Sequence, residues 1–150
     1  MVTIETIIVG FDNTDASRAA LRWAAHHAKR VGAELLVVYV ASSTAEWELS
    51  MIQVNPDPIR HEFEKRLQGE WTESLRTAGV PYRAELVVGR PADALLDVAR
   101  ACDPALIVVG MSGRGTLGEL VVGNTASRLS HHAARPIVTV PPSWEPAEYT

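Results

Sequence analysis

The residues with the clearest capacity for chemistry form a glycine-rich stretch that follows an apolar run. Its five glycines are Gly110, Gly113, Gly115, Gly118 and Gly123. Glycine lets a backbone approach a ligand closely and adopt positive φ. Asn124 and Thr125 follow, and we expect them to open a helix whose first backbone amides point outward. Such amides, together with the guanidinium of Arg114, suit a phosphate group.

Known phosphate motifs do not account for this stretch. Gly113 and Gly118 have the separation of a Walker A loop, but Glu119 stands where that loop requires lysine. No G-x-G-x-x-G run follows the first apolar segment, so a dinucleotide fingerprint is missing. Ser112 does not lie in the G-x-S-x-G pattern of a hydrolase. The glycines alone therefore leave a phosphate loop and a plain turn as alternatives.

Other candidate residues give little support to catalysis or to a metal site. Cys102 is the single cysteine, which excludes an internal disulfide and a Cys-based zinc site. The pairs His26-His27 and His131-His132 are adjacent in sequence. Adjacent helical residues point about 100° apart, so neither pair chelates one ion easily. We predict no catalytic residue and no resident metal site, because no general base or carboxylate cluster is evident.

Composition indicates an ordinary globular protein. The 150 residues predict one domain, with a core at 4–140 and a surface tail at 141–150. Apolar types make up 47% and charged types 21%, and the net charge is −4. That balance argues against a nucleic-acid partner, because such binding needs a basic face. The apolar runs are far shorter than the roughly 20 residues of a membrane span. With no visible signal peptide, we expect a cytoplasmic protein with no membrane partner.

The glycine-rich stretch must be positioned by alternating strands and helices. Short apolar runs at 4–9, 35–40, 84–88, 105–109 and 137–140 predict five strands. Most are nearly continuous, which is typical of parallel strands buried on both faces. Helical spacing predicts four helices, at about 14–31, 58–78, 91–101 and 124–133. Right-handed crossovers then give an α/β fold with a doubly wound open sheet, whose ligands bind at the carboxyl ends of the strands.

The glycine spacing is more specific than the glycine count. Gly110-x2-Gly113-x9-Gly123, followed by Asn124-Thr125, resembles the nucleotide-binding signature of the universal stress protein family. In that family a hydroxyl residue normally follows the last glycine. The amide of Asn124 can still donate to a phosphate and cap the helix, and Thr125 supplies a hydroxyl one residue later.

Other segments are similar to the same family. Residues 7–12 resemble its first strand, which ends in an aspartate, and Asn13 then stands where glycine is common. Residues 89–92 resemble the opening of its third helix, and residues 130–140 resemble its closing helix and edge strand. The resemblance covers residues 4–140 and implies a nucleotide-binding α-hydrolase-like sheet of order 3-2-1-4-5.

The resemblance also implies a site and a ligand. An intact glycine signature goes with the ATP-binding branch of the family, so the implied ligand is ATP, with or without Mg²⁺. Gly10, Asp12 and Val40 would then lie near the ribose and adenine. The residues implied around the ribose and phosphates are Gly110, Met111, Gly113, Arg114, Gly123, Asn124 and Thr125.

We therefore expect a nucleotide-binding stress or regulatory protein in which the nucleotide biases conformation or assembly. Ile137–Val140 should form a sheet edge that pairs with the same strand of a second copy, giving a homodimer. The irregular stretch 42–56 is expected to act as a lid over the base. The alternatives are a homodimeric interaction module without nucleotide and, less well supported, an enzyme of the adenylate-forming kind.

Overall fold

The computed structural model describes residues 3–41, 56–111 and 123–147. Within these ranges the centre of the molecule is one sheet of parallel strands. The strands are β1 (Thr6–Phe11), β2 (Glu34–Ala41), β3 (Tyr82–Val88), β4 (Leu106–Gly110) and β5 (Ile137–Val140). Their spatial order is β3-β2-β1-β4-β5, which confirms the expected 3-2-1-4-5 order. The chain reverses direction across the sheet between β1 and β4, which is where doubly wound folds bind ligands.

Helices cover both faces of the sheet. They are α1 (Asp15–Val31), α2 (Pro56–Gln68), a 3₁₀ turn (Glu70–Thr72), α3 (Glu73–Ala78), α4 (Pro91–Cys102) and α5 (Asn124–His132). Alternate residues of β1 face opposite layers. Val9 packs in the cluster that contains α1, α2 and α3, whereas Ile8 packs in the cluster that contains α4 and α5. Both are fully buried, which explains why the strand reads as a continuous apolar run.

The helical segment between β2 and β3 is the main departure from the sequence-based prediction. Periodicity predicted one helix over 58–78, but the helix breaks at Gly69 and resumes as a 3₁₀ turn and α3. Side chains stabilise the break. The guanidinium of Arg76 donates to the carbonyl oxygen of Gly69 at 2.6 Å and to Tyr82 Oη at 2.6 Å. The hydroxyl of Thr72, which is fully buried, donates to the carbonyl oxygen of Leu67 at 2.8 Å.

The contact with Arg76 also affects the ionisation of Tyr82. Burial alone would raise the pKa of this phenol. The hydrogen bonds from Thr72 and Arg76, with the positive charge of Arg76, lower it by more. The net pKa of Tyr82 is therefore below its usual range, which marks the Arg76 contact as charge-assisted.

The predicted ends of the elements are correct in some places and shifted in others. Thr14 caps α1 and Gly32 ends it in the left-handed conformation, so the helix agrees with the predicted 14–31 to within one residue. β1 begins at Thr6 rather than at Ile4, which is 62% exposed. β3 begins two residues early, at Tyr82. No helix in the described ranges is long and apolar enough to cross a bilayer.

Candidate functional site

A cavity of about 100 Å³ opens at the carboxyl ends of β1, β2 and β4. Gly10 of β1, Val40 of β2 and Gly110 of β4 line it, as does Asp12, which directly follows β1. Helices α1, α4 and α5 all begin beside it, because each follows a strand that ends at this edge. The positive ends of the helix dipoles therefore converge on one cavity.

The wall formed by α1 is tied together by hydrogen bonds. Thr14 and Ser17 form a capping box, in which each side-chain oxygen accepts the backbone N–H of the other, at 3.2 and 3.0 Å. Ser17 Oγ also accepts the N–H of Asp12 at 3.2 Å. The hydroxyl and N–H of Thr14 donate to Asp12 Oδ1 at 2.5 and 3.0 Å. One carboxylate oxygen of Asp12 is thus fixed, and Oδ2 has no hydrogen-bond partner within the described ranges.

Asn13 makes the turn between β1 and α1 possible. Its φ is +61°, which is the left-handed region that asparagine tolerates better than most residues. Asn13 therefore adopts a left-handed conformation at a position where glycine is common in the family that the sequence resembles. The guanidinium of Arg18 donates to its carbonyl oxygen at 2.6 Å and to its Oδ1 at 3.0 Å. The turn brings Asp12 close enough to Thr14 for the hydrogen bonds described above.

Gly110 is a glycine for a reason that the sequence did not reveal. A Cβ atom at this position would lie 2.5 Å from the carbonyl carbon of Ala16 and 2.7 Å from the backbone nitrogen of Ser17. The first turn of α1 therefore crosses directly over the end of β4. At Gly10 a Cβ would meet only side-chain atoms, of Leu95 at 3.1 Å and Val109 at 3.2 Å. The close approach at Gly110 is made by the protein's own helix.

The backbone of Met111 takes part in the hydrogen bonding of the sheet. Its backbone N–H donates to the carbonyl oxygen of Val140 at 2.7 Å, which continues the pairing of β4 with β5. Its side chain is half-buried and is not among those that line the cavity. The structure therefore gives this amide a structural role and connects the residue after β4 to the end of the last strand.

The wall formed by α5 differs from that of α1 because its N-cap residue makes no side-chain hydrogen bond to the helix. Gly123 is the N-cap, with extended backbone angles and no side-chain hydrogen bond to the helix. Asn124 is the first helical residue and is exposed, so the expectation that its side chain caps the helix is wrong. Thr125 lines the cavity. Gly113 and Arg114, with the lid expected over 42–56, lie outside the described residues apart from Pro56, which begins α2.

Several lining residues were not assigned to the site from the sequence. They are Phe11, Thr14, Ala16, Ser17, Pro91, Leu95 and Val109. The signal that could have found some of them is positional, since Thr14 and Ser17 open α1 and Pro91 opens α4. First-turn residues of a helix that follows a strand must lie at the carboxyl edge of the sheet. Within the described ranges no group of three or more His, Cys, Asp or Glu side chains could hold a metal ion.

Similar proteins are found among curated sequences. A universal stress protein of Mycolicibacterium smegmatis is 29% identical over 140 residues, which cover 89% of this chain and 47% of that protein. One of Thermus aquaticus is 30% identical over 141 residues, which cover 91% of this chain and 98% of the relative. The chain spans about half the length of the mycobacterial relatives and nearly all of the Thermus one.

Solved structures share the fold. A universal stress protein in complex with cAMP superposes with a TM-score of 0.71 at 23% identity, covering 95% of this chain and 100% of the other. The universal stress protein of Archaeoglobus fulgidus in complex with dAMP has a TM-score of 0.66 at 21% identity, covering 93% and 99%. The model of the universal stress protein family matches residues 3–141. This chain therefore belongs to the universal stress protein family.

Proposed function

We propose that this protein binds an adenine nucleotide, ATP above all, in the cavity at the carboxyl ends of β1, β2 and β4. The observation that carries the proposal is the convergence of the first turns of α1, α4 and α5 on that cavity. Helix N-termini attract anions through the helix dipole and, where no side chain caps them, as at α5, also through free amides. Structures of the same fold in complex with cAMP and dAMP support an adenine nucleotide as the anion.

The proposal assigns a role to each part of the cavity. Asp12 Oδ2 accepts a ribose hydroxyl, because Oδ1 is already held by Thr14. Val40 offers apolar contact to the base. The cavity volume of about 100 Å³ is below the roughly 300–1,000 Å³ of a complete ligand site. It therefore suits the nucleoside end, with the phosphates extending past Thr125.

The phosphates belong on the α5 side. The amides that follow Gly123 have no side-chain cap and can donate to phosphate oxygens. The exposed amide group of Asn124 and the hydroxyl of Thr125 add donors. Gly113 and the guanidinium of Arg114 complete the proposed set on the basis of the signature alone. ATP enters this site either alone or as its Mg²⁺ complex.

We further propose that bound nucleotide biases assembly of a single-domain chain into a homodimer. β5 pairs with β4 on one side, and its other edge has no partner strand within the described ranges. The hydrogen bond from Met111 to Val140 joins the start of the glycine-rich stretch to this edge strand. Pairing with β5 of a second copy would cover the edge with two-fold symmetry. A monomeric mass in sedimentation at micromolar concentration, with and without ATP, would contradict the dimer.

The binding proposal is tested by calorimetry with ATP, ADP, AMP and cAMP. Gly123→Val places a branched side chain beside the first amides of α5, and we expect ATP affinity to fall by about tenfold or more. Ser127→Val is the matched control, because Ser127 is exposed on the same helix and does not line the cavity. Circular dichroism should show both variants folded.

If Gly123→Val binds ATP as tightly as the parent protein, the start of α5 does not take part in the proposed site. If the parent binds none of the four nucleotides and releases none on denaturation, nucleotide binding is wrong. The interaction module without nucleotide would then be the better description of this chain.

A further inference from the structure

A second and larger groove lies on the other side of the turn between β1 and α1. It runs between α1 and the segment that contains the 3₁₀ turn and α3, and its volume is about 840 Å³. That size is within the range of sites that hold a ligand or a short peptide. Phe11 lines both this groove and the nucleotide cavity, so the two are neighbours.

The floor of the groove is aromatic and held in place. The rings of Phe11 and Trp71 lie 5.7 Å apart, centroid to centroid. Phe11 and Leu21 are almost fully buried and support Trp71 from below, so Trp71 supplies the accessible aromatic surface. Trp71 is half-buried and stacks on Tyr39 at 5.3 Å and against Phe63 at 6.1 Å. A tryptophan anchored on one side and accessible on the other is typical of a site where a partner side chain packs.

The two walls carry opposite charges. Arg18 and Arg22 stand one turn apart on α1, about 6 Å along its axis. Glu70 and Glu73 stand on the opposite wall. Arg18 is occupied by Asn13 and by an ion pair with Asp15.

The remaining wall charges are available. Arg22 makes one long hydrogen bond, to the carbonyl oxygen of Trp144 at 3.4 Å, which leaves most of its five N–H donors open. Arg22, Glu70 and Glu73 are exposed and form no ion pair with any residue in the described ranges. Arg22 on one wall and Glu70 and Glu73 on the other therefore flank Trp71, and no ion pair within the described ranges neutralises these charges.

We propose that this groove docks a short amphipathic segment of a partner protein. An acidic side chain of the segment pairs with Arg22, an apolar side chain packs on Trp71, and a basic side chain pairs with Glu70 or Glu73. The acidic wall disfavours a polyanion such as nucleic acid or an anionic membrane, because like charges repel. The basic wall disfavours a purely cationic partner for the same reason.

In the experiment, a phage-displayed library of short random peptides is screened for peptides that bind the intact protein. We expect enrichment of peptides that carry an acidic and a basic residue on either side of a large apolar one. Arg22→Glu combined with Glu70→Arg and Glu73→Arg exchanges the available wall charges, and it should select the reversed order of acidic and basic residues. Lys29→Glu is the matched control, because Lys29 is exposed on α1 but does not line the groove.

Filling the groove gives the second measurement. Thr77 is exposed and lines the groove, so Thr77→Trp should weaken binding of a selected peptide by about tenfold or more. Lys29→Glu should leave that affinity unchanged. Absence of enrichment, or selected peptides that bind Thr77→Trp as well as the parent, would overturn the proposal. Self-association that Arg22→Glu and Glu73→Arg each abolish would assign the groove to a second copy instead.

Discussion

The helix N-termini of α1 and α5 both face the cavity at the carboxyl ends of β1, β2 and β4, but they are built differently. α1 begins with a capping box in which Thr14 and Ser17 satisfy each other's amides, and Asp12 joins the same network. α5 begins at Gly123 with no side-chain cap. At α1 the N–H groups of Asp12, Thr14 and Ser17 already have side-chain acceptors, whereas the first amides of α5 have no side-chain cap among the described residues.

This difference indicates that the α1 wall and the α5 wall of the cavity have different roles. The α1 wall, in which the N–H groups of Asp12, Thr14 and Ser17 are already bonded, defines shape and holds Asp12, so it contributes rigidity and one oriented carboxylate. A wall with unsatisfied amides can receive an anion at no cost in broken hydrogen bonds. Gly110 lies directly under the first turn of α1, so that turn packs closely against the sheet. This close packing is consistent with a rigid α1 wall.

The largest effect is expected at Gly110. Gly110→Ala places a Cβ within 2.7 Å of the backbone of Ala16 and Ser17, neither of which can rotate away. We expect a loss of about 3 kcal/mol in the free energy of unfolding, at the upper end of the cost of overpacking. Gly10→Ala is the control, since its Cβ meets only the movable side-chain ends of Leu95 and Val109, and it should cost less than about 1 kcal/mol. Urea unfolding measures both, and equal losses would contradict the rigid α1 wall.

An intermediate effect is expected in the capping network. Ser17 is 4% exposed, and Ser17→Ala leaves the amides of Asp12 and Thr14 without their acceptor, at a cost of about 1–3 kcal/mol. Thr14→Ala removes the cap and should cost about 1 kcal/mol. Because the two side chains share one network, the double variant should lose less than the sum of the single losses. Strict additivity in thermal or urea unfolding would show that they act separately.

The smallest effect is expected at the other wall. Gly123→Ser introduces a hydroxyl that can cap α5, which should raise the free energy of unfolding by a few tenths of a kcal/mol. The same hydroxyl competes with a phosphate for the first amides, so ATP affinity measured by calorimetry should fall. A gain in stability with unchanged affinity would show that these amides do not bind the nucleotide.

The connection between β2 and β3 shows where sequence patterns stop being sufficient. Apolar residues recur across 58–78 with helical spacing, yet the helix breaks at Gly69. The break depends on Arg76 reaching Tyr82 of β3 and the carbonyl oxygen of Gly69. A contact with a different strand is not visible in local periodicity. The same limit applies to Leu95, which lines the cavity together with residues of β1 and α1 that are far from it in sequence.

The sequence by itself determined the five parallel strands and the approximate bounds of α1, α4 and α5. Strand burial and turn chemistry depend on residue type and local spacing, so they can be predicted from the chain. Only the tertiary structure decided that Gly110 accommodates α1, that Leu95 lines the cavity and that Met111 is bonded to Val140. Each of these contacts joins residues far apart in sequence, and their distances are fixed by packing across the sheet rather than by any local pattern.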